Sequence, residues 1–184
     1  MLKKSLTLSL MIMTLAVANA QDKYFTKTGK INFFSKAPLE DIEGKNKTVT
    51  AVIDSKSGAV QFAVQMKGFE FEKQLMQQHF NENYVESNKF PKGEFKGNIT
   101  NNSEINYSKD GTYNANVKGK MTIHGVTKDV ESTGTVKVDG GKLDVNSTFN
   151  VLISDYQIKI PAVVKDKVSN TIKIVVDCKL DPLK

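Results

Sequence analysis

Few side chains in this sequence could do chemistry. His79, His124 and Cys178 are the only histidines and the only cysteine in 184 residues. A structural metal centre takes about four such ligands at close spacing, from C-x-x-C pairs or neighbouring helical turns. Here the two histidines could at best share a site with an Asp or Glu, and no metal is expected. Carboxylates pair at Glu40-Asp41, followed by Glu43, and at Glu70 and Glu72. General acid–base work would need such pairs in a desolvated cleft, whereas acidic residues in loops are ordinarily solvated. No Gly-x-Ser-x-Gly elbow, phosphate-binding loop or dinucleotide fingerprint occurs. His124 has the outward parity of its strand and precedes Gly125, which suits a turn residue that hydrogen-bonds its loop. Cys178 is in phase with Ile172, Ile174, Val176 and Leu180, on the core face of a strand. The expectation is a binding protein with no catalytic residue, cofactor or metal.

All 26 basic residues are lysines. Without an arginine the chain lacks the planar fork that reads guanine or grips phosphate bidentately, so nucleic acid is not an expected partner. The lysines alternate with apolar residues, as on a solvated outer surface. At the N-terminus, Lys3 and Lys4 precede an apolar run over residues 6–17 and the small residues Ala18-Asn19-Ala20. This is the pattern of a secretory signal peptide over residues 1–20, too short for the ~20 residues that span a bilayer. Cleavage after Ala20 leaves a mature domain of residues 21–184, and Gln21 is not the cysteine of a lipid-modified N-terminus. One cysteine allows no internal disulfide, so packing and backbone pairing must hold the exported fold together.

Those elements read as β-strands. Val60, Phe62, Val64 and Met66 share one parity. Phe95, Gly97 and Ile99 do the same, as do Tyr113, Ala115, Val117, Gly119, Met121 and Ile123. Val130, Ser132, Gly134, Val136 and Val138 form a further set, and Leu143, Val145, Ser147, Phe149, Val151 and Ile153 another. Turn residues separate the runs at 54–58, Lys109-Asp110-Gly111, His124-Gly125 and Asp139-Gly140-Gly141. With strands at 26–36, 47–54 and 170–180 the count reaches about eight. An antiparallel meander of that size removes its open edges by closing into a barrel; a two-sheet sandwich is the other solution. Residues 69–92 lack alternation, and Leu75, Met76, His79 and Phe80 have the spacing of a short amphipathic helix placed over one barrel end. Residues 155–169 are too apolar for a solvated loop and suit the barrel mouth.

The inward parity mixes large and small residues. Gly97, Ala115, Gly119, Ser132, Gly134 and Ser147 fall in phase with Phe95, Tyr113, Met121 and Phe149. An eight-stranded barrel either fills with side chains or holds one small ligand, and inward glycines favour the ligand. The competing reading is that small and large residues alternate to fit a tapering, filled barrel. Phe62, Phe69, Phe71, Met76 and Phe80 could form an apolar lid or throat. No charged residue falls on an inward strand position, so the expected ligand is hydrocarbon with its headgroup near the mouth.

The segment Met121-Thr122-Ile123-His124-Gly125-Val126-Thr127-Lys128 resembles the central signature of the YceI family. Upstream, Phe80-Asn81-Glu82-Asn83-Tyr84-Val85-Glu86-Ser87, Lys89-Phe90-Pro91 and Phe95 are similar to the family's pre-strand segment. The likeness runs from Gly29-Lys30-Ile31-Asn32-Phe33 onward. It implies an exported, lipocalin-like antiparallel barrel that holds an isoprenoid-type or other amphipathic lipid, in a bacterial periplasm. The family's Asn-Arg-Ser-Asp-Phe-Gly-like stretch appears here as residues 149–158 without its Arg or Gly, so contacts made by that stretch do not carry over. Two functions follow: a carrier or reservoir for an apolar, isoprenoid-like lipid, or a filled barrel acting on a protein partner. Transient contact with the membrane or with envelope proteins suits either.

Overall fold

The computed structural model describes residues 22–183; the expected signal peptide lies outside the described residues. Eight strands follow one another: β1 (Lys23–Lys36), β2 (Asp41–Asp54), β3 (Ala59–Gln65), β4 (Lys92–Ile99), β5 (Gly111–Ile123), β6 (Val126–Asp139), β7 (Lys142–Leu152) and β8 (Thr171–Pro182). They pair antiparallel in sequence order, and β8 returns to β1 to close a barrel. The sandwich is thereby excluded. The connection after β3 carries one short helix, α1 (Gln74–His79).

Tight hairpins set this order. The β5–β6 turn has His124 and Gly125 at φ 52° and 76°, and the β6–β7 turn has Gly140 and Gly141 at 56° and 78°. Two successive left-handed residues match the right-handed twist of the flanking strands.

Strand β2 begins at Asp41, six residues before the expected 47, which moves Asp41 and Glu43 from a loop into a strand. Two features hide this start. Asn46 is fully buried yet reads as polar, and the inward side passes from Asn46 to Val49 through shifts in the β1–β2 register. The Asn46 amide is satisfied: its oxygen accepts from the Thr48 backbone and hydroxyl, and its nitrogen donates to the Gln65 carbonyl.

The two ends of the barrel differ. At the end where β1 begins, Ala51, Ile53, Val136, Val138, Leu143, Cys178 and Leu180 have almost no exposure, and Tyr24 stacks on Tyr107 over the bottom. At the other end the wall loosens in two places. The β2–β3 ladder ends at Thr50–Ala63, after which Lys45 pairs with Glu70 of the following segment. The β6–β7 ladder ends at Gly134–Ser147, leaving residues 126–133 without a β7 partner, while a 3₁₀ turn at Ile153–Tyr156 packs against β6. Lys128 corrects the expectation of uncharged inward positions. It lies opposite Met121 on the inward parity but is exposed, because this half of β6 has lost its neighbour.

Candidate functional site

The loosened end holds a cavity of about 440 Å³. Strand β1 contributes Ile31 and Phe33, β8 contributes Ile172 and Ile174, and α1 with the residues around it closes over them. At its centre Phe33, Phe69, Phe71 and Phe80 form one aromatic cluster, with ring centroids 5.1–5.7 Å apart in stacked, tilted and edge-on pairs. Such pairs each contribute about 0.5–1.5 kcal/mol beyond their burial, so the cluster is a firm wall. Local sequence makes room for it: a side chain at Gly44 would collide with the Phe33 ring. Met76 and Phe80 face inward from α1 and the π-helical turn Phe80–Tyr84, while Leu75 and His79 of the expected helical face sit exposed at the mouth. Ile158, Val164 and Val168, from the apolar connection after β7, complete the lining.

Charged groups are confined to the rim. Lys73 Nζ lies 3.1 Å from Glu40 Oε1, and Lys167 also lines the cavity. The buried Ser35 hydroxyl already accepts from the Ser169 backbone N–H at 2.9 Å. A guest would therefore meet a mostly apolar wall inside and charge only at the opening.

The eleven residues singled out from sequence do not converge on one place. Phe69, Phe71, Met76 and Phe80 line the main cavity. Phe62, Phe95, Gly134 and Phe149 line a second, smaller cavity of about 80 Å³ deeper in the barrel. Tyr113, Gly119 and Met121 line neither. The Tyr113 hydroxyl donates to the Lys109 carbonyl at 3.0 Å, and Met121 is buried. Gly119 leaves no spare volume, contrary to the parity argument: a Cβ there would lie 2.5 Å from Gly97 Cα and 2.7 Å from the Phe95 ring. The ring of Phe95 covers the Gly97–Gly119 pair, so these glycines serve close packing. Gly134 likewise has its space occupied, by the Asn146 carbonyl across the last β6–β7 pair. Sequence reasoning missed Phe33, although Ile31, Phe33 and Ser35 alternate; the adjacent Phe34 blurred the period.

His124 does more than turn a corner. With its ring edge-on to Phe90, its Nδ1 lies 3.1 Å from the Tyr156 carbonyl and its Nε2 2.6 Å from Glu86 Oε2. A carbonyl only accepts, so Nδ1 donates; Nε2 must then also donate to a carboxylate, or Glu86 must carry the proton. The side chain ties the β5–β6 turn, the segment after the π-helical turn and the turn after β7 into one collar. Among the described residues, no three His, Cys, Asp or Glu side chains converge on a metal-sized site. Cys178 is buried, and burial pushes its thiol up to about 11 from an ordinary 9.0, which removes the nucleophilic thiolate at neutral pH.

Residues 20–180 match the YceI-like domain. The chain belongs to the YceI family. Family membership places it among non-catalytic barrels, and YceI-family proteins are typically exported or periplasmic. No curated protein matches the chain significantly. Among solved structures, this YceI barrel is similar to a polyisoprenoid binding domain from Saccharophagus degradans implicated in plant cell wall breakdown. The TM-score is 0.77 at 11% identity, over 89% of this chain and 99% of that one. It also resembles Burkholderia cenocepacia BcnA, with a TM-score of 0.66 at 18% identity over 83% and 95% of the two chains. The Campylobacter jejuni YceI protein follows with a TM-score of 0.58 at 17% identity over 77% and 85%. At these identities the likeness is one of fold.

Proposed function

We propose that this YceI protein is an exported carrier or reservoir for an apolar lipid, isoprenoid-like or otherwise amphipathic. The hydrocarbon lies in the main cavity and the headgroup at the rim formed by Glu40, Lys73 and Lys167. The observation that carries this reading is the cavity itself: about 440 Å³ of aromatic and aliphatic wall with charge only at the mouth. Hydrocarbon leaving water for such a wall gains about 25 cal/mol per Å² of apolar surface buried, whereas a polar guest would lose hydrogen bonds it could not replace. The named specificity of the Saccharophagus degradans domain supports the isoprenoid class. The filled-barrel alternative fits only the lower half, where side chains occupy the interior.

Export by residues 1–20 and a mature domain of 21–184 belong to the same proposal. Native mass spectrometry of protein taken without detergent from the exported fraction tests both. The expected spectrum shows a chain beginning at Gln21 with a mass excess that solvent extraction removes. An empty protein that also fails to take up a fluorescent polyprenol would refute the carrier. Retention of residues 1–20 would refute the processing.

A further inference from the structure

The three most exposed large hydrophobic side chains among the described residues all stand at the open end of the barrel. Val163 is 90% exposed, Leu39 71% and Leu75 62%. Leu39 belongs to the β1–β2 connection, Leu75 to α1 and Val163 to the 3₁₀ turn Ala162–Val164. Single exposed hydrophobics are ordinary, whereas several at one rim mark an interaction surface. The Leu39 N–H donates to the Asp166 carbonyl at 2.9 Å and the Ser169 N–H to the Ser35 hydroxyl at 2.9 Å, which sets the β1–β2 connection beside the connection after β7. Pro161, Ala162 and Val163 are consecutive exposed residues at the tip of the latter. This tip is an ordered turn. The Val164 N–H donates to the Pro161 carbonyl at 3.0 Å, and the Lys167 and Val168 N–H groups donate to the Val164 carbonyl at 2.9 and 3.1 Å. Backbone groups bonded from within can enter a poorly hydrated surface without loss.

Cationic side chains flank the tip. Between Tyr156 and Val176 the chain carries Lys159, Lys165, Lys167 and Lys173 against one acid, Asp166. Ion pairs among the described residues involve none of these four lysines, whereas Lys73 at the same mouth is held by Glu40. Glu72 and Glu82 flank α1, so the cationic side of the mouth is the one where β8 begins.

We infer that Leu39 and residues 159–167 form a docking surface for an anionic phospholipid bilayer: Val163 and Leu39 enter the boundary between headgroups and acyl chains while the flanking lysines meet lipid phosphates. Apolar insertion and cationic attraction add in such contacts. The inference rests on the carrier reading for what the contact delivers. Val164 and Val168 line the main cavity next to the tip, as Leu75 does from α1, so apolar surface continues from the docking residues into the cavity. Hydrocarbon exchanged through a docked mouth stays out of water, which favours that route by roughly fourfold for each methylene. Two copies meeting tip to tip would instead set lysine against lysine.

The test is co-sedimentation of the mature protein with vesicles of phosphatidylcholine alone, and of phosphatidylcholine and phosphatidylglycerol in equal parts. Native protein should pellet with the mixed vesicles, and added salt should release it. Val163→Asp should weaken this binding about tenfold or more, and Lys165→Gln roughly fivefold, the usual contribution of one lysine beside an anionic surface. Both positions are exposed and outside the cavity lining, so folding and cargo capacity should hold. Leu183→Asp adds the same charge at the closed end, where the Leu183 N–H bonds the Lys23 carbonyl, and should leave vesicle binding within twofold of native apart from its single added charge. Native protein that stays in solution with both vesicle types overturns the docking surface, and the carrier stands if that protein still takes up a fluorescent polyprenol. Unchanged binding by Val163→Asp and Lys165→Gln overturns it as well. A concentration-dependent dimer that Val163→Asp disperses, without vesicle binding, assigns the tip to a second copy and overturns the lipid surface. Vesicle binding by a protein that takes up no polyprenol overturns the carrier and leaves the surface.

Discussion

Gly119 shows how a residue's parity differs from its surroundings. Its inward position suggests room for a ligand, and a larger side chain would then be neutral or stabilising. The structure reverses that sign. A Cβ would lie within 2.7 Å of the Phe95 ring and 2.5 Å of both the Lys96 carbonyl and Gly97 Cα, and neither backbone atom can yield without disturbing the β4–β5 ladder. Gly119→Ala should therefore destabilise by about 1–3 kcal/mol, the usual cost of overpacking. Urea denaturation midpoints read this directly, and an unchanged or raised midpoint would restore the spacious reading. The φ of Gly119 is not positive, so backbone strain does not confound the result.

Among the elements, the β5–β6 hairpin depends most on contacts beyond itself. Its turn needs a left-handed residue at position 124, and its tip is held by the His124 bonds to Glu86 and Tyr156. Asparagine tolerates that conformation and alanine does not, whereas both lose the bridge. His124→Asn should cost about 1.5–3 kcal/mol, the range for a hydrogen bond to a charged group, and His124→Ala more. Glu86→Gln keeps the chain shape and removes the charge, so its loss should fall below that of His124→Asn. Thermal melts of the three variants give the order. Equal losses for Asn and Ala would assign the whole effect to the bridge and none to the turn.

For the whole molecule, buried acids make stability fall in alkali. Burial raises Cys178 to about 11, and raises Tyr107 and Tyr156 each to about 12 from an ordinary 10.0, with added repulsion from Asp54 at Tyr107 and from Asp155 at Tyr156. The unfolded chain releases these protons at the ordinary values, before the folded one does. Stability is then fully present below pH 9.0, falls as pH rises through the raised values, and levels off above about 12. Denaturation midpoints against pH should follow that course, and Cys178→Ala should flatten its first part, between 9.0 and about 11. A native profile that stays level over the whole interval would contradict the burial of all three groups.

Strand number, order and closure were legible in the sequence because side chains alternate with period two and hairpin turns demand left-handed residues, both of which are local. So was the reach of the apolar wall into residues 69–92 and 155–169, where hydrophobic side chains lack a strand period. The start of β2 was not legible, because a buried asparagine and register shifts break the alternation. Neither was the position of the hollow. Parity says that Gly119, Met121 and Phe33 face inward; it cannot say that Gly119 is filled by Phe95, that Met121 is buried away from both cavities, or that Phe33 anchors the aromatic cluster. Volume inside a barrel is what remains after side chains from distant strands have met, and where β6 parts from β7 depends on a turn that follows β7. Only the tertiary structure brings those segments together, and so only it divides the interior into a packed half and an open one.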